Sequence, residues 1–179
     1  MEIIKTPFFW AFISMFGLVG ANAVVSGKKL GKYPLYGILV VILFDLGRFV
    51  LVLPVLQQPR FIWPHIQIIG TIIFVTGLIF CIPAFGISPF TSPNKKINLR
   101  KSGLYRITRN PIYFGEILWS LGWAIMFRST IGVLLTPLWW LALLIHTLIE
   151  EESLEREIGQ EFYEFKKQTK GRIFPGLPI

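Results

Sequence analysis

Two blocks of polar residues stand out from an otherwise apolar chain. The first runs Gly103-Leu104-Tyr105-Arg106-Ile107-Thr108-Arg109-Asn110-Pro111-Ile112-Tyr113-Phe114-Gly115-Glu116, and the second is Glu150-Glu151-Glu152. Pro111 biases Asn110 away from helix and suits the first turn of a helix that begins there. The free N–H groups of such a turn form a site for an anionic or nucleotide-like ligand. Carboxylates at a helix C-terminus oppose the macrodipole, so three in a row require solvent or a cation. Glu116 lies one turn inside the helix opened by Pro111, and His146 lies one turn before Glu150. Asp45 and Arg48 share a helix face inside an apolar stretch, where ionisable groups are functional candidates by default.

Each of these groups also has a structural reading. Arg106 and Arg109 serve as interfacial anchors, and Tyr105 and Tyr113 as part of an aromatic belt. The glutamates form a solvated helix exit, His146 is a packed ring bonded to Glu150, and Asp45–Arg48 is an intramembrane pair. Other chemistries are excluded. The chain has no phosphate-binding glycine loop, no H-E-x-x-H, no C-x-x-C and no indication of a serine triad. His65 and His146 are its only histidines, so a multi-histidine metal site is excluded and no metal is expected. Cys81 stands alone, which rules out an intrachain disulfide.

The elements that must position these groups are membrane spans. Hydrophobic residues make up 53% of the 179, charged residues 16%, and the mean hydropathy is +0.60. A soluble domain carries about 25% charged residues. The expected class is an all-α integral membrane protein with about five transmembrane helices and a C-terminal amphipathic cytoplasmic segment. The expected spans are 6–27, 33–56, 61–85, 112–127 and 129–149. The first contains Ala21-Asn22-Ala23, which also fits a signal-peptide cleavage site. Pro83, Gly86 and Pro89 end the third span, and Arg128-Ser129-Thr130 leaves only a tight turn between the last two. Leu154, Ile158, Phe162 and Phe165 recur at helical spacing, which reads as an amphipathic helix continuing from the fifth span, with a break expected near Gly159.

The net charge of +8 is distributed unevenly. Lys5, Arg60 and Arg128 fall on one side. Lys28, Lys29, Lys32, Lys95, Lys96, Arg100, Lys101, Arg106, Arg109, Arg156, Lys166, Lys167, Lys170 and Arg172 fall on the other. The positive-inside rule puts the larger group in the cytoplasm and the N-terminus outside. The basic residues sit in short stretches between apolar spans, which argues for a membrane partner and against nucleic acid. The chain reads as a single membrane domain, 1–179, with three N-terminal spans in 1–90. A catalytic-type half in 91–179 contains the hairpin and the tail.

At its two polar blocks the sequence resembles the integral membrane methyltransferases that include isoprenylcysteine carboxyl methyltransferases and phospholipid methyltransferases. The pattern G-x-Y-x-x-x-R-x-P-x-Y-x-G is met by Gly103, Tyr105, Arg109, Pro111, Tyr113 and Gly115. A hairpin follows, then Glu150-Glu151, then Gly159 and Tyr163, and last Arg172-Ile173-Phe174-Pro175. The resemblance covers 98–175. It implies S-adenosylmethionine as methyl donor, a cytoplasmic cofactor pocket closed by the C-terminal segment, and a lipid or prenylated acceptor entering from the bilayer. Carried over, Leu99, Arg100, Tyr105, Asn110, Pro111, Ile112, Tyr113 and Glu150 line the cofactor site. Arg109, His146 and Glu116 are the candidate catalytic residues.

Departures from the pattern narrow the acceptor. Asn110 stands where the group has His. Only Leu99 of Ile97-Asn98-Leu99-Arg100 matches the upstream H-x-L-V stretch, and His146 replaces the Arg one turn before the cofactor glutamate. The last two point away from a prenylcysteine carboxylate. A sterol-reductase-like nicotinamide enzyme and a non-catalytic scaffold of the same fold are the competing classes.

Overall fold

The computed structural model describes residues 2–26, 34–82, 99 and 101–178. Among them the chain is all-helical, with six α-helices and no strand. The helices are α1 Pro7–Ser26, α2 Pro34–Leu51, α3 Ile66–Cys81, α4 Pro111–Met126, α5 Thr130–Ile158 and α6 Gln160–Gln168. A short 3-10 turn, Gly103–Arg106, precedes α4. Arg100, and the basic residues Lys28, Lys29, Lys32, Lys95 and Lys96, lie outside the described residues, as do Pro83, Gly86, Pro89 and 97–98.

Two helix pairs are locked by glycine. Gly70 and Gly77 on α3 face Gly122 and Gly115 on α4, and a Cβ at any of the four would clash with the partner helix at 2.2–2.5 Å. Each pair is seven residues apart, so the antiparallel helices meet backbone to backbone at two levels. Small residues that let backbones approach closely are how helices associate where water supplies no hydrophobic drive. Gly17 and Gly47 do the same for α1 against α2, where Ser14 Oγ donates to Phe44 O at 2.8 Å. Leu18, Phe44, Leu51, Ile117, Trp139 and Leu143 fill the core between these pairs and α5.

The outward faces are apolar as well. Phe8, Phe12, Phe16 and Val19 on α1 are exposed, as are Leu35, Ile38, Leu39 and Ile42 on α2. Ile68, Ile72, Val75 and Ile79 on α3, and Leu134, Leu138, Leu141 and Ile145 on α5, complete the set. Exposed apolar rows of this extent mark a contact surface. Among the described residues, α5 is the one helix long and apolar enough to cross a bilayer by itself; Pro7–Ala23 and Ile66–Cys81 are shorter apolar helices.

The expected spans shift at their ends. The second helix stops at Leu51, not 56. The third begins at Ile66, not 61, because His65 adopts φ 58° directly after Pro64. Arg60 occupies this junction. Its guanidinium donates to Val52 O, Leu53 O and Phe127 O, at 3.2, 2.7 and 2.5 Å, so one cation serves the carbonyls that follow both α2 and α4. Lys5, 57–61 and 128–130 are joined by backbone bonds at this end of the bundle. The α4–α5 turn is tight, with Arg128 at φ 56° and Ser129 Oγ accepting from Gly132 N.

The largest correction concerns the glutamates. They are not a helix exit, because α5 continues for two more turns to Ile158, and Glu150 and Glu151 are buried. The macrodipole penalty of a C-terminal carboxylate therefore does not apply to them. The break comes at Gly159, with φ 49°, after which α6 folds back. Phe162 and Phe165 then pack with Leu154, Ile158, Leu99 and Tyr105.

Candidate active site

The C-terminal segment forms a strap across the N-terminal approach to α4. Arg109 N donates to Gly171 O at 2.8 Å, and Asn110 N donates to Arg172 O at 3.0 Å. Thr108 Oγ1 and Asn110 Nδ2 converge on the same Arg172 carbonyl, at 2.8 and 3.1 Å. Thr169 Oγ1 donates to Tyr105 O at 3.0 Å. Gly171 fits only without a Cβ, which would fall 2.6 Å from Phe174 O. The strap then turns through Pro175-Gly176, with Leu177 N donating to Phe174 O and Gly176 at φ 75°, the pattern of a type II turn. Ile173 is fully buried, and Phe174 sits edge-on to both Phe114 of α4 and Trp140 of α5.

Beneath the strap lies a buried ion network. Arg109 Nε and Nη2 donate to the two oxygens of Glu151, at 2.8 and 3.4 Å, and Nη1 donates to Thr169 O and Lys170 O. Arg172 Nε donates to Glu151 Oε2 at 3.0 Å. Every nitrogen of the Arg109 guanidinium thus has a partner within the protein. Arg109, a candidate catalytic residue from the sequence, has its donors committed to tying α5 to the strap.

The neighbouring glutamate is treated differently. Tyr113 Oη donates to Glu150 Oε2 at 2.6 Å. Among the described residues Glu150 has no ion-pair partner. The Tyr113 ring also stands edge-on to His146, with centroids 5.4 Å apart. His146 does not bond Glu150. Its Nδ1 lies 2.5 Å from Oδ1 of Asn22, which α1 delivers. Tyr113, His146, Glu150 and Asn22 therefore form one polar cluster where α1, α4 and α5 meet.

Glu116 belongs to a separate group deeper in the bundle. Arg48 of α2 pairs with both Asp45 and Glu116, and its guanidinium lies over the rings of Phe44 and Trp119. Cys81 Sγ approaches Ile112 O at 3.5 Å and Glu116 Oε1 at 4.0 Å. Glu116, expected among the catalytic residues, is thus enclosed by an arginine 68 residues away in sequence. Arg48–Glu116 holds α2 against α4.

The structure brings together Tyr105, Asn110, Pro111, Tyr113, Glu150 and the strap at one end of the bundle. Pro111 is the first residue of α4 and is buried, and Ile112 follows it, its carbonyl turned toward Cys81. Leu99 packs with Tyr105 against α6. Asn22 was not foreseen as part of a site, having been read only within a possible cleavage signal. A lone amide in an otherwise apolar helix was the signal that could have found it. A shallow groove lined by Ile68, Thr71, Ile72, Val75 and Thr76 on α3 shares no residue with the cluster.

The family profile described as phospholipid methyltransferase matches residues 60–161, more than half of the chain, spanning α3, α4, the hairpin turn and all of α5. No curated protein and no solved structure matches the chain. The matched stretch contains the motif around Arg109 and the glutamate pair whose geometry is described above. The chain belongs to the phospholipid methyltransferase family.

Proposed function

We propose that this protein transfers a methyl group from S-adenosylmethionine to a lipid headgroup, at the cytoplasmic end of a five-span bundle. The observation that carries the reading is the asymmetry between two adjacent buried carboxylates. Glu151 faces two arginines, whereas Glu150 faces a phenol and no cation among the described residues. A buried carboxylate without a counter-charge is costly, and a cationic ligand removes that cost. S-adenosylmethionine supplies an electrophilic methyl on a sulfonium and carries an ammonium besides. The donor set fits such a group: Glu150 for positive charge, the Asn110–Tyr113 turn for polar contacts, and Leu99 and Tyr105 for apolar walls. Arg100 joins this set on its sequence position alone.

The chain's own residues do the rest. Tyr113 fixes the Glu150 rotamer. Arg109, Glu151 and Arg172 hold the strap, which excludes water from the transfer. His146 accepts a proton from the acceptor. Arg109 and Glu116 act as positioning residues, the first on the strap and the second on α2. The buried guanidiniums of Arg48 and Arg109 are both already matched to carboxylates, so the proposed acceptor is an amine-type headgroup and not a carboxylate.

The five spans are α1 to α5, with the N-terminus outside and the strap cytoplasmic. The apolar outward faces and the fourteen-to-three distribution of Lys and Arg support this topology. The unit is a single membrane domain in which 1–90 buttresses the catalytic half, 91–179. Thermal unfolding of the purified protein with candidate ligands tests the reading. A ligand at 100 times its Kd adds about 2.7 kcal/mol. S-adenosylmethionine should stabilise the protein and a reduced nicotinamide should not; the reverse would refute the proposal.

A further inference from the structure

Asn22 lies outside the family-matched stretch, on a helix whose remaining inward face is small or apolar. Ser14, Leu18 and Asn22 recur one turn apart, and Ser14 and Leu18 are buried. That face therefore delivers the Asn22 amide to α5, where Oδ1 stands 2.5 Å from His146 Nδ1. An amide oxygen only accepts, so with Oδ1 and not Nδ2 turned to the ring the contact calls for a proton on Nδ1. In a neutral imidazole the lone pair then resides on Nε2. Tyr113, edge-on at 5.4 Å, limits rotation of the ring from the α4 side.

We infer that Asn22 is a positioning residue that holds His146 as the Nδ1–H tautomer, leaving Nε2 to take a proton from the methyl acceptor. The inference rests on the proposed role of His146 as base. For an ammonium headgroup, one N–H bond breaks and its proton passes to Nε2, uncovering the nitrogen lone pair. That pair forms the N–C bond to the methyl carbon, the C–S bonding pair remains on sulfur, and His146 returns its proton to water. No oxidant or further co-reactant is required. The N-terminal helix thereby enters the chemistry through its effect on one ring.

The chain has only two histidines, so nitrogen NMR of 15N-histidine-labelled protein can be assigned with a His65→Gln control. Wild type should show a protonated Nδ1 and an unprotonated Nε2 for His146. Asn22→Leu should move the ring toward the other tautomer. It should also lower kcat toward an amine-headgroup lipid roughly ten- to a hundred-fold, with KM for S-adenosylmethionine little changed. Asn22→Asp keeps an oxygen acceptor and should keep the wild-type tautomer, which guards against a fold defect in the leucine variant. A wild-type ring protonated on Nε2 would overturn the inference, whatever the activity. So would an Asn22→Leu enzyme of normal kcat while His146→Ala is inactive. Full activity in His146→Ala, with the wild-type tautomer as expected, would instead refute the base role on which the inference rests.

Discussion

Replacing Glu151 by glutamine should loosen the strap selectively. The carboxylate accepts three bonds, from Arg109 Nε at 2.8 Å, Arg109 Nη2 at 3.4 Å and Arg172 Nε at 3.0 Å. Arg109 and Glu151 have side chains only 6% and 7% exposed, so water cannot replace what is lost. Removing one partner of a buried ion pair costs about 3–5 kcal/mol. The amide retains one acceptor oxygen, which places the expected cost at the lower end, about 3 kcal/mol. At about 1.4 kcal/mol per factor of ten, local opening of the strap becomes roughly a hundred times more populated. Hydrogen exchange of a peptide covering 169–178 reads this directly, because Arg172 N is bonded within the strap to Leu177 O. Exchange there should accelerate by about that factor, while α3 and α4 amides are unchanged. The triple variant Arg109→Met/Glu151→Leu/Arg172→Met should recover part of the protection, since removing all three charged groups leaves no orphaned charge. Unaltered exchange in Glu151→Gln, or acceleration spread evenly over the bundle, would refute the assignment of this network to the strap.

Other consequences follow at separate sites. Glu150→Gln removes a buried carboxylate that faces no cation among the described residues. It should weaken S-adenosylmethionine binding by about 1.5–3 kcal/mol, ten-fold or more in Kd by calorimetry, with strap exchange unaffected. Gly77→Val places a side chain against the Trp119 backbone, whose Cα would lie 2.7 Å from the new Cβ. Thermal unfolding should show a loss of about 1–3 kcal/mol or more. Gly103→Asn, at φ 65° with open space around it, should be tolerated. For topology, a cysteine at the exposed Ile62 should be labelled only from outside and one at Lys167 only from the cytoplasm.

What the sequence revealed followed from local rules. Long apolar stretches with few charges marked where α1 to α5 lie, Pro111 marked the first residue of α4, and Gly159 marked the break before α6. Spacing along one helix correctly paired Arg48 with Asp45. It could not reach Glu116, whose contact depends on how α2 crosses α4. The same limit hid the partner of His146. Glu150 is its neighbour along α5, but the side chain that meets the ring comes from α1, 124 residues away. The helical spacing beyond the acidic run correctly carried the helix on to Gly159, but the polarity of the run suggested solvated glutamates, whereas Glu150 and Glu151 are buried. Burial against Arg109 and Arg172 lets the helix continue through it. The heptad-spaced glycines of α3 and α4 were visible as residues but carried no meaning until the two helices were seen in register. Arg60 was likewise counted as a loop charge, and its capping of α2 and α4 is a tertiary fact.

Methyl transfer to a lipid is measured with the full chain reconstituted in vesicles of amine-headgroup phospholipid. S-adenosylmethionine labelled on its methyl group is added from the strap side, and the extracted lipid is analysed for label. Base-stable label should appear on headgroup nitrogen, sharply reduced in Glu150→Gln at subsaturating donor. Label recovered only as a base-labile carboxyl ester would contradict the acceptor assignment. No transfer to any lipid, together with no binding of the methyl donor, would refute methyl transfer as the function of this site.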